Sequence, residues 1–137
     1  MKVRLRMDTI DGNGDTTTCE LMAVMERRKS DYKLVYMETV SDDGDTTSTE
    51  MYLSPIGMRI VRRGYIESDF MYERNTVHNT AYKTVYGVLP ITIETNEYSF
   101  TESLEDESIS AHVDYTMTIA GEQPLGMQVK IGIGKYE

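Results

Sequence analysis

The sequence has no tryptophan, only two phenylalanines, three prolines and a single cysteine, Cys19. One cysteine cannot build an internal disulfide framework, and this usage fits a reducing compartment. No apolar run approaches the roughly 18 residues that a membrane-spanning helix needs. The opening stretch "MKVRLRMDTI" alternates charge with apolar residues, unlike the continuous apolar core of a signal peptide. A cytoplasmic location is therefore expected. Positive charge is also scarce: 14 Lys and Arg stand against 23 Asp and Glu, for a formal net charge of −9. Binding phosphates takes a basic surface, so neither a nucleic acid nor a membrane is an expected partner. Sustained helical spacing with caps is missing as well.

Tyrosine and methionine supply the bulk instead, with ten of each in 137 residues. The length and the 39% hydrophobic content fit one folded domain over residues 1–137. Period two dominates the chain. Val3, Leu5 and Met7 alternate with charged residues. Ile109, Ala111, Val113, Tyr115, Met117 and Ile119 alternate with polar ones, and Met127, Val129, Ile131 and Ile133 repeat the pattern. One face of each segment is apolar and the other wet, as in an antiparallel sheet with one buried face. Turn signals such as "DGNGD", "SDDGD", "SPIG" and "AGEQPLG" punctuate it. Strands are expected near 2–10, 18–29, 31–40, 47–54, 57–63, 65–74, 80–86, 88–96, 108–120 and 126–136. Side-chain parity changes between Thr95 and Tyr98, which signals a bulge or an extra turn.

A chain this rich in strands must hide its edges, and closure removes them. The expected fold is all-β: an antiparallel up-and-down barrel of eight to ten strands. A sandwich of the immunoglobulin type lacks its cysteine pair and its tryptophan.

Residues 60–95, "IVRRGYIESDFMYERNTVHNTAYKTVYGVLPITIET", carry a further pattern. Arg62 is followed two residues later by Gly64, and an apolar strand ends near Phe70 and Tyr72. "Y-x-T-x-Y-G" follows at Tyr82, Thr84, Tyr86 and Gly87, then an alternating strand and Thr95. With the tail "ISAHVDYTMTIAGEQPLG", this resembles the YwiB-like family of small bacterial proteins. The resemblance runs from about residue 46 onward and more weakly over the first strands. It implies a calycin-like or lipocalin-like barrel and a bacterial, cytoplasmic protein; it implies no activity.

The two acidic stretches "DGNGDTTTCE" (11–20) and "DDGDTTSTE" (42–50) place Asp and Asn at alternate positions, like a calcium loop. An EF-hand loop wants Gly at its sixth position and Glu at its twelfth. Counted from Asp11, those positions hold Thr16 and Met22. Both stretches read as hairpin turns, in which Gly takes positive φ and Asp bonds its own backbone. Successive turns of a meander alternate ends. Asp11, Asp15, Asp42, Asp43 and Asp45 are thus expected at one rim.

Tyr82, Thr84 and Tyr86 share parity on one strand, and if they face inward their hydroxyls converge with Arg62 and Tyr115. Such a group recognises a carboxylate or phosphate, since guanidinium binds planar anions in bidentate fashion. The competing reading pairs Arg62 with a buried acid such as Glu38. His78, placed in a turn, and His112, on a wet face, have no companion Cys or HExxH pattern, so no metal site is expected. Cys19 reads as an ordinary small hydrophobe. Glu102, Glu105, Asp106 and Glu107 read as a solvated loop. "GIGKYE" lacks the following helix of a phosphate loop. No catalytic residue and no cofactor is expected. The expected function is that of a barrel binding a small amphipathic or anionic ligand in its interior, through Arg62, Tyr82, Thr84, Tyr86 and Tyr115. The alternative is a filled barrel acting through its acidic surface as an interaction protein, with an enzyme third.

Overall fold

The computed structural model describes residues 1–39 and 41–136. Val40, the last residue of the expected third strand, and Glu137 lie outside them. Ten antiparallel strands form one sheet: β1 (Lys2–Asp11), β2 (Thr16–Arg27), β3 (Tyr32–Thr39), β4 (Thr46–Ser54), β5 (Gly57–Gly64), β6 (Ser68–Glu73), β7 (Val77–Thr84), β8 (Gly87–Ser103), β9 (Ser108–Ile119) and β10 (Leu125–Lys135). Their order around the wall is β6-β5-β4-β3-β2-β1-β10-β9-β8-β7. The expected all-β meander is the observed one, at the upper end of the expected strand count. Among the described residues no helix is long and apolar enough to cross a membrane.

Closure comes from β1 and β10, which pair from Val3↔Lys135 to Asp11↔Met127. The break in the wall falls instead between the consecutive strands β6 and β7. There one bridge, Glu67↔Lys83, holds with backbone bonds of 3.0 and 2.9 Å. Side chains fill the rest of this seam. The Asp69 carbonyl accepts from Thr80 Oγ1 at 3.0 Å and lies 3.1 Å from His78 Nε2. His78 is thus a seam residue within β7, not a turn residue as its sequence context suggests. The barrel is thus nearly closed at this seam, where β6 and β7 are the two edge strands of the sheet.

Alternation puts the apolar residues inside. Leu5, Leu34, Met51, Leu53, Ile93 and Val113 are almost wholly buried. Burying each such side chain contributes about 1.5–3 kcal/mol against the entropy of ordering it. The parity change foreseen after Thr95 is a bulge between Thr95 and Glu97 in β8. It returns Tyr98 and Phe100 to the inner face, so β8 is one strand of 17 residues and Glu102 belongs to it rather than to a loop. Tyr98 OH then donates to the Ser54 carbonyl at 2.6 Å, tying β8 to the end of β4 across the interior.

The meander sorts its turns into two rims. Residues 12–15, 41–45, 65–67, 85–86 and 120–124 close one end, termed the upper rim; 28–31, 55–56, 74–76 and 104–107 close the lower. Both acidic turns sit on the upper rim. At the first, Asp11 Oδ1 accepts the backbone N–H groups of Asn13 and Asp15 at 2.9 and 3.1 Å, and Gly14 has φ of 86°. At the second, Ser41 Oγ takes the place of that carboxylate, accepting from Asp45 N at 3.2 Å, and Gly44 repeats φ of 86°. These are two copies of one hairpin turn with its left-handed glycine. No group of His, Cys, Asp and Glu suited to a metal ion occurs among the described residues.

Candidate functional site

Below the upper rim the interior changes from apolar to mixed. On β5, Met58, Ile60 and Arg62 share the inward parity, and Arg62 is the last of them. Tyr115 lies on the inner face of β9 and is buried; Tyr82 lies on β7, stacked on Phe70 at 6.4 Å between ring centroids. Arg62, Tyr82 and Tyr115 line one cavity of about 350 Å³, together with Tyr72, Phe70 and Met117. Three of the five residues singled out from the sequence therefore meet.

The other two do not. β7 ends at Thr84 and β8 starts at Gly87, so Tyr86 falls in the turn and is 93% exposed. Thr84 Oγ1 accepts the Tyr86 backbone N–H at 3.1 Å and serves the turn. Strand pairing ends at Thr84↔Gly87, so the row Tyr82-Thr84-Tyr86 loses Tyr86 to the turn, and of the two residues left on β7 only Tyr82 lines the cavity.

Arg62 is not a bare cation. Its Nε donates to Glu38 Oε1 at 3.2 Å, and Thr49 Oγ1 donates to the same oxygen at 2.6 Å. The pairing weighed against the ligand reading is therefore made. It uses one nitrogen, and no further hydrogen bond of the guanidinium is found among the described residues. The Arg62 and Glu38 side chains keep 19% and 23% of their surface in solvent. Beside them Tyr36, 4% exposed, has a hydroxyl with no partner among the described residues. Burial pushes the hydroxyls of Tyr36, Tyr72 and Tyr115 up, and the Arg62 charge pulls each back in part. One cation thus faces three neutral phenols and a carboxylate. The Tyr72 and Tyr115 rings meet edge to face at 4.8 Å.

Tyr36, Glu38 and Tyr72 belong to this cluster. The signal for Tyr36 and Glu38 was present in the alternation Tyr32, Leu34, Tyr36, Glu38. Cys19 is exposed; the partial desolvation of its thiol first, and then the Glu38 carboxylate, push that thiol up, away from nucleophile character.

The lower end holds a second cavity of about 470 Å³, lined by Met25, Leu104, Ile109 and Ile133 with Arg27 and Glu102 at its side. Tyr32 OH donates to Glu102, and the Arg27 guanidinium lies 5.8 Å from the Tyr32 ring centre. Arg27 also lies 3.9 Å from Glu102, and Lys135 pairs with Glu107 at 3.0 Å. The upper cavity differs in bringing the buried phenols of Tyr72 and Tyr115 to a guanidinium that spends one nitrogen on Glu38.

A family model described as a domain of unknown function (DUF1934) matches residues 2–131. The chain belongs to this family. The fold of this DUF1934 protein is similar to that of the ywiB protein from Bacillus subtilis, known from its crystal structure. The TM-score is 0.82 at 16% identity, over 99% of this chain and 92% of that one. The resemblance carried by residues 60–95 is thereby borne out, and at this identity the likeness speaks for the fold alone. A comparison with curated proteins found no match for this DUF1934 chain.

Proposed function

We propose that the upper mouth binds a small amphipathic molecule, with its polar head on Arg62 and its apolar part between Tyr82, Phe70 and Met117. The supporting observation is the cavity of about 350 Å³ in which a guanidinium and three phenol groups, those of Tyr72, Tyr82 and Tyr115, converge on a mostly apolar lining. Concave, mostly apolar sites with a few convergent polar groups are the usual form of a ligand pocket, and this volume is at the small end of the range. The unused nitrogens of Arg62 suit an acceptor head such as a carboxylate, in the two-pronged geometry that guanidinium favours. The reading is of a binding protein in a reducing, cytoplasmic setting, in keeping with its one free cysteine.

Isothermal titration with octanoate and with octanol tests it. Octanoate should bind about tenfold more tightly than octanol, a difference of ~1.4 kcal/mol, and Arg62→Met should abolish the preference. The carboxylates of the upper rim oppose an anionic head, so octanoate affinity should rise with added salt as that repulsion is screened. Equal and unsaturable heats for both probes, or a preference that survives Arg62→Met, would overturn the proposal.

A further inference from the structure

The wall of the barrel has a second discontinuity, between β2 and β3. Their ladder runs only from Arg27↔Tyr32 to Val24↔Val35. Yet β2 stays paired to β1 as far as Thr16, and β3 stays paired to β4 as far as Thr39. Above Val24 and Val35 each strand therefore keeps one neighbour and loses the other, which leaves a cleft that opens toward the upper rim.

Backbone direction along this cleft follows from one pair. Met25 exchanges both backbone bonds with Met1, at 2.8 and 3.2 Å. Antiparallel alternation then turns the N–H and C=O groups of Ala23, Leu21, Cys19 and Thr17 toward β1. Those of Met22, Glu20 and Thr18 turn toward the cleft, where no strand of the described residues meets them. A row of unpaired donors and acceptors at even spacing is a template for one more strand.

The surroundings set the chemistry of that strand. On the outer face Met22, Val24, Val35 and Met37 are 42%, 50%, 39% and 59% exposed and flank the cleft with apolar surface. At its open end stand Asp11 and Asp15 on one turn and Asp42, Asp43 and Asp45 on the other. No Lys or Arg among the described residues forms an ion pair with any of the five. A second copy would bring the same acidic turns and the same net charge of −9 to this rim, so like charges oppose self-pairing. We infer that the β2–β3 cleft receives an extended, basic polypeptide segment of another protein, which adds as a strand along the free edge of β2. This inference does not depend on the pocket beneath the rim.

The probe is a blocked seven-residue peptide alternating lysine and valine, added to the isotopically labelled full chain. Binding should saturate and weaken at least about tenfold in molar salt, through loss of charge attraction. Amide exchange of Thr18, Glu20 and Met22 should slow about tenfold or more on binding, while Cys19 and Leu21 are little changed. The same peptide N-methylated at alternate residues cannot pair on one edge and should bind about tenfold more weakly. Thr18→Pro removes a donor facing the cleft and spares the β1 ladder, and should weaken the probe with the fold intact by circular dichroism. Met22→Lys should do the same through charge. Equal binding of the N-methylated peptide, or binding without protection of the three amides, overturns the proposal. So does a sedimenting dimer in which these amides are already protected, which would assign the cleft to a second copy.

Discussion

Arg62 Nε lies 3.2 Å from Glu38 Oε1, and the same oxygen takes the Thr49 hydroxyl at 2.6 Å. Arg62 and Glu38 come from β5 and β3, on either side of the β4 strand that carries Thr49, so the pair spans three strands of the wall. With about a fifth of each side chain in solvent, it is worth less than a fully buried pair. Arg62→Met should lower stability in urea by about 1–2 kcal/mol, and Glu38→Gln by a similar amount. The double variant should cost clearly less than the sum, because each single change strands the other charge.

Two buried tyrosines should respond in opposite ways to loss of their hydroxyl. Tyr98 OH has a bond to the Ser54 carbonyl at 2.6 Å, so Tyr98→Phe should cost about 1–2 kcal/mol. Tyr36 OH has no partner among the described residues, and Tyr36→Phe should be neutral or stabilising by up to about 1 kcal/mol. Denaturant midpoints of the two variants measured side by side decide this; a comparable loss in both would mean that Tyr36 has a partner in solution.

The acidic turns should behave as turns. Gly14 and Gly44 have φ of +86° and open space where a Cβ would sit, so Gly→Ala at either position should cost about 1 kcal/mol from backbone strain alone. Millimolar calcium should leave the melting midpoint of the protein where it is. A rise in the midpoint with calcium would restore the metal reading.

Alkaline titration should reach the barrel through its phenols. Burial pushes Tyr98 up to about 12, and Tyr36, Tyr72 and Tyr115 up as well. A raised folded value means that the folded state holds its protons longer than the unfolded chain. The associated stability is intact below the ordinary tyrosine value of about 10 and is lost as pH rises from there through the folded value. Tyrosinate absorbance should therefore contain a late step that coincides with loss of the circular dichroism of the sheet. Ionisation of all ten tyrosines before any unfolding would contradict it.

At the seam, Thr80→Val removes a bond to the Asp69 carbonyl and should cost about 1 kcal/mol. The sensitive readout is amide exchange at Lys83 and Glu67, the two ends of the lone bridge, which should speed up before any other strand does.

Much of this architecture is written in period two. The alternation from Ile109 to Ile119 identifies β9 and puts Tyr115 inside, and the parity slip after Thr95 marks the bulge in β8. Where strands end is less legible. Nothing in the spacing of "AYKTVYG" says that pairing stops at Thr84, yet that stop sends Tyr86 into solvent. Arg62 and Glu38 each carry inward parity, but their meeting depends on the register of β4 between them. The parting of β2 from β3 leaves no trace at all. Both strands keep their alternation, and a missing neighbour is a property of two segments rather than of either sequence.

The ladder between β1 and β10 has a consequence for assembly of the fold. During synthesis β1 is made before the other nine strands, and one of its edges is committed to β10, which is made after them. Until β10 arrives, that edge stays open, and closure waits on the longest-range pairing in the molecule. During this interval the nascent chain carries an aggregation-prone border. Lys2, Arg4 and Arg6 alternate along it, a row of like charges that discourages neighbouring chains from zipping onto β1 before its proper partner does.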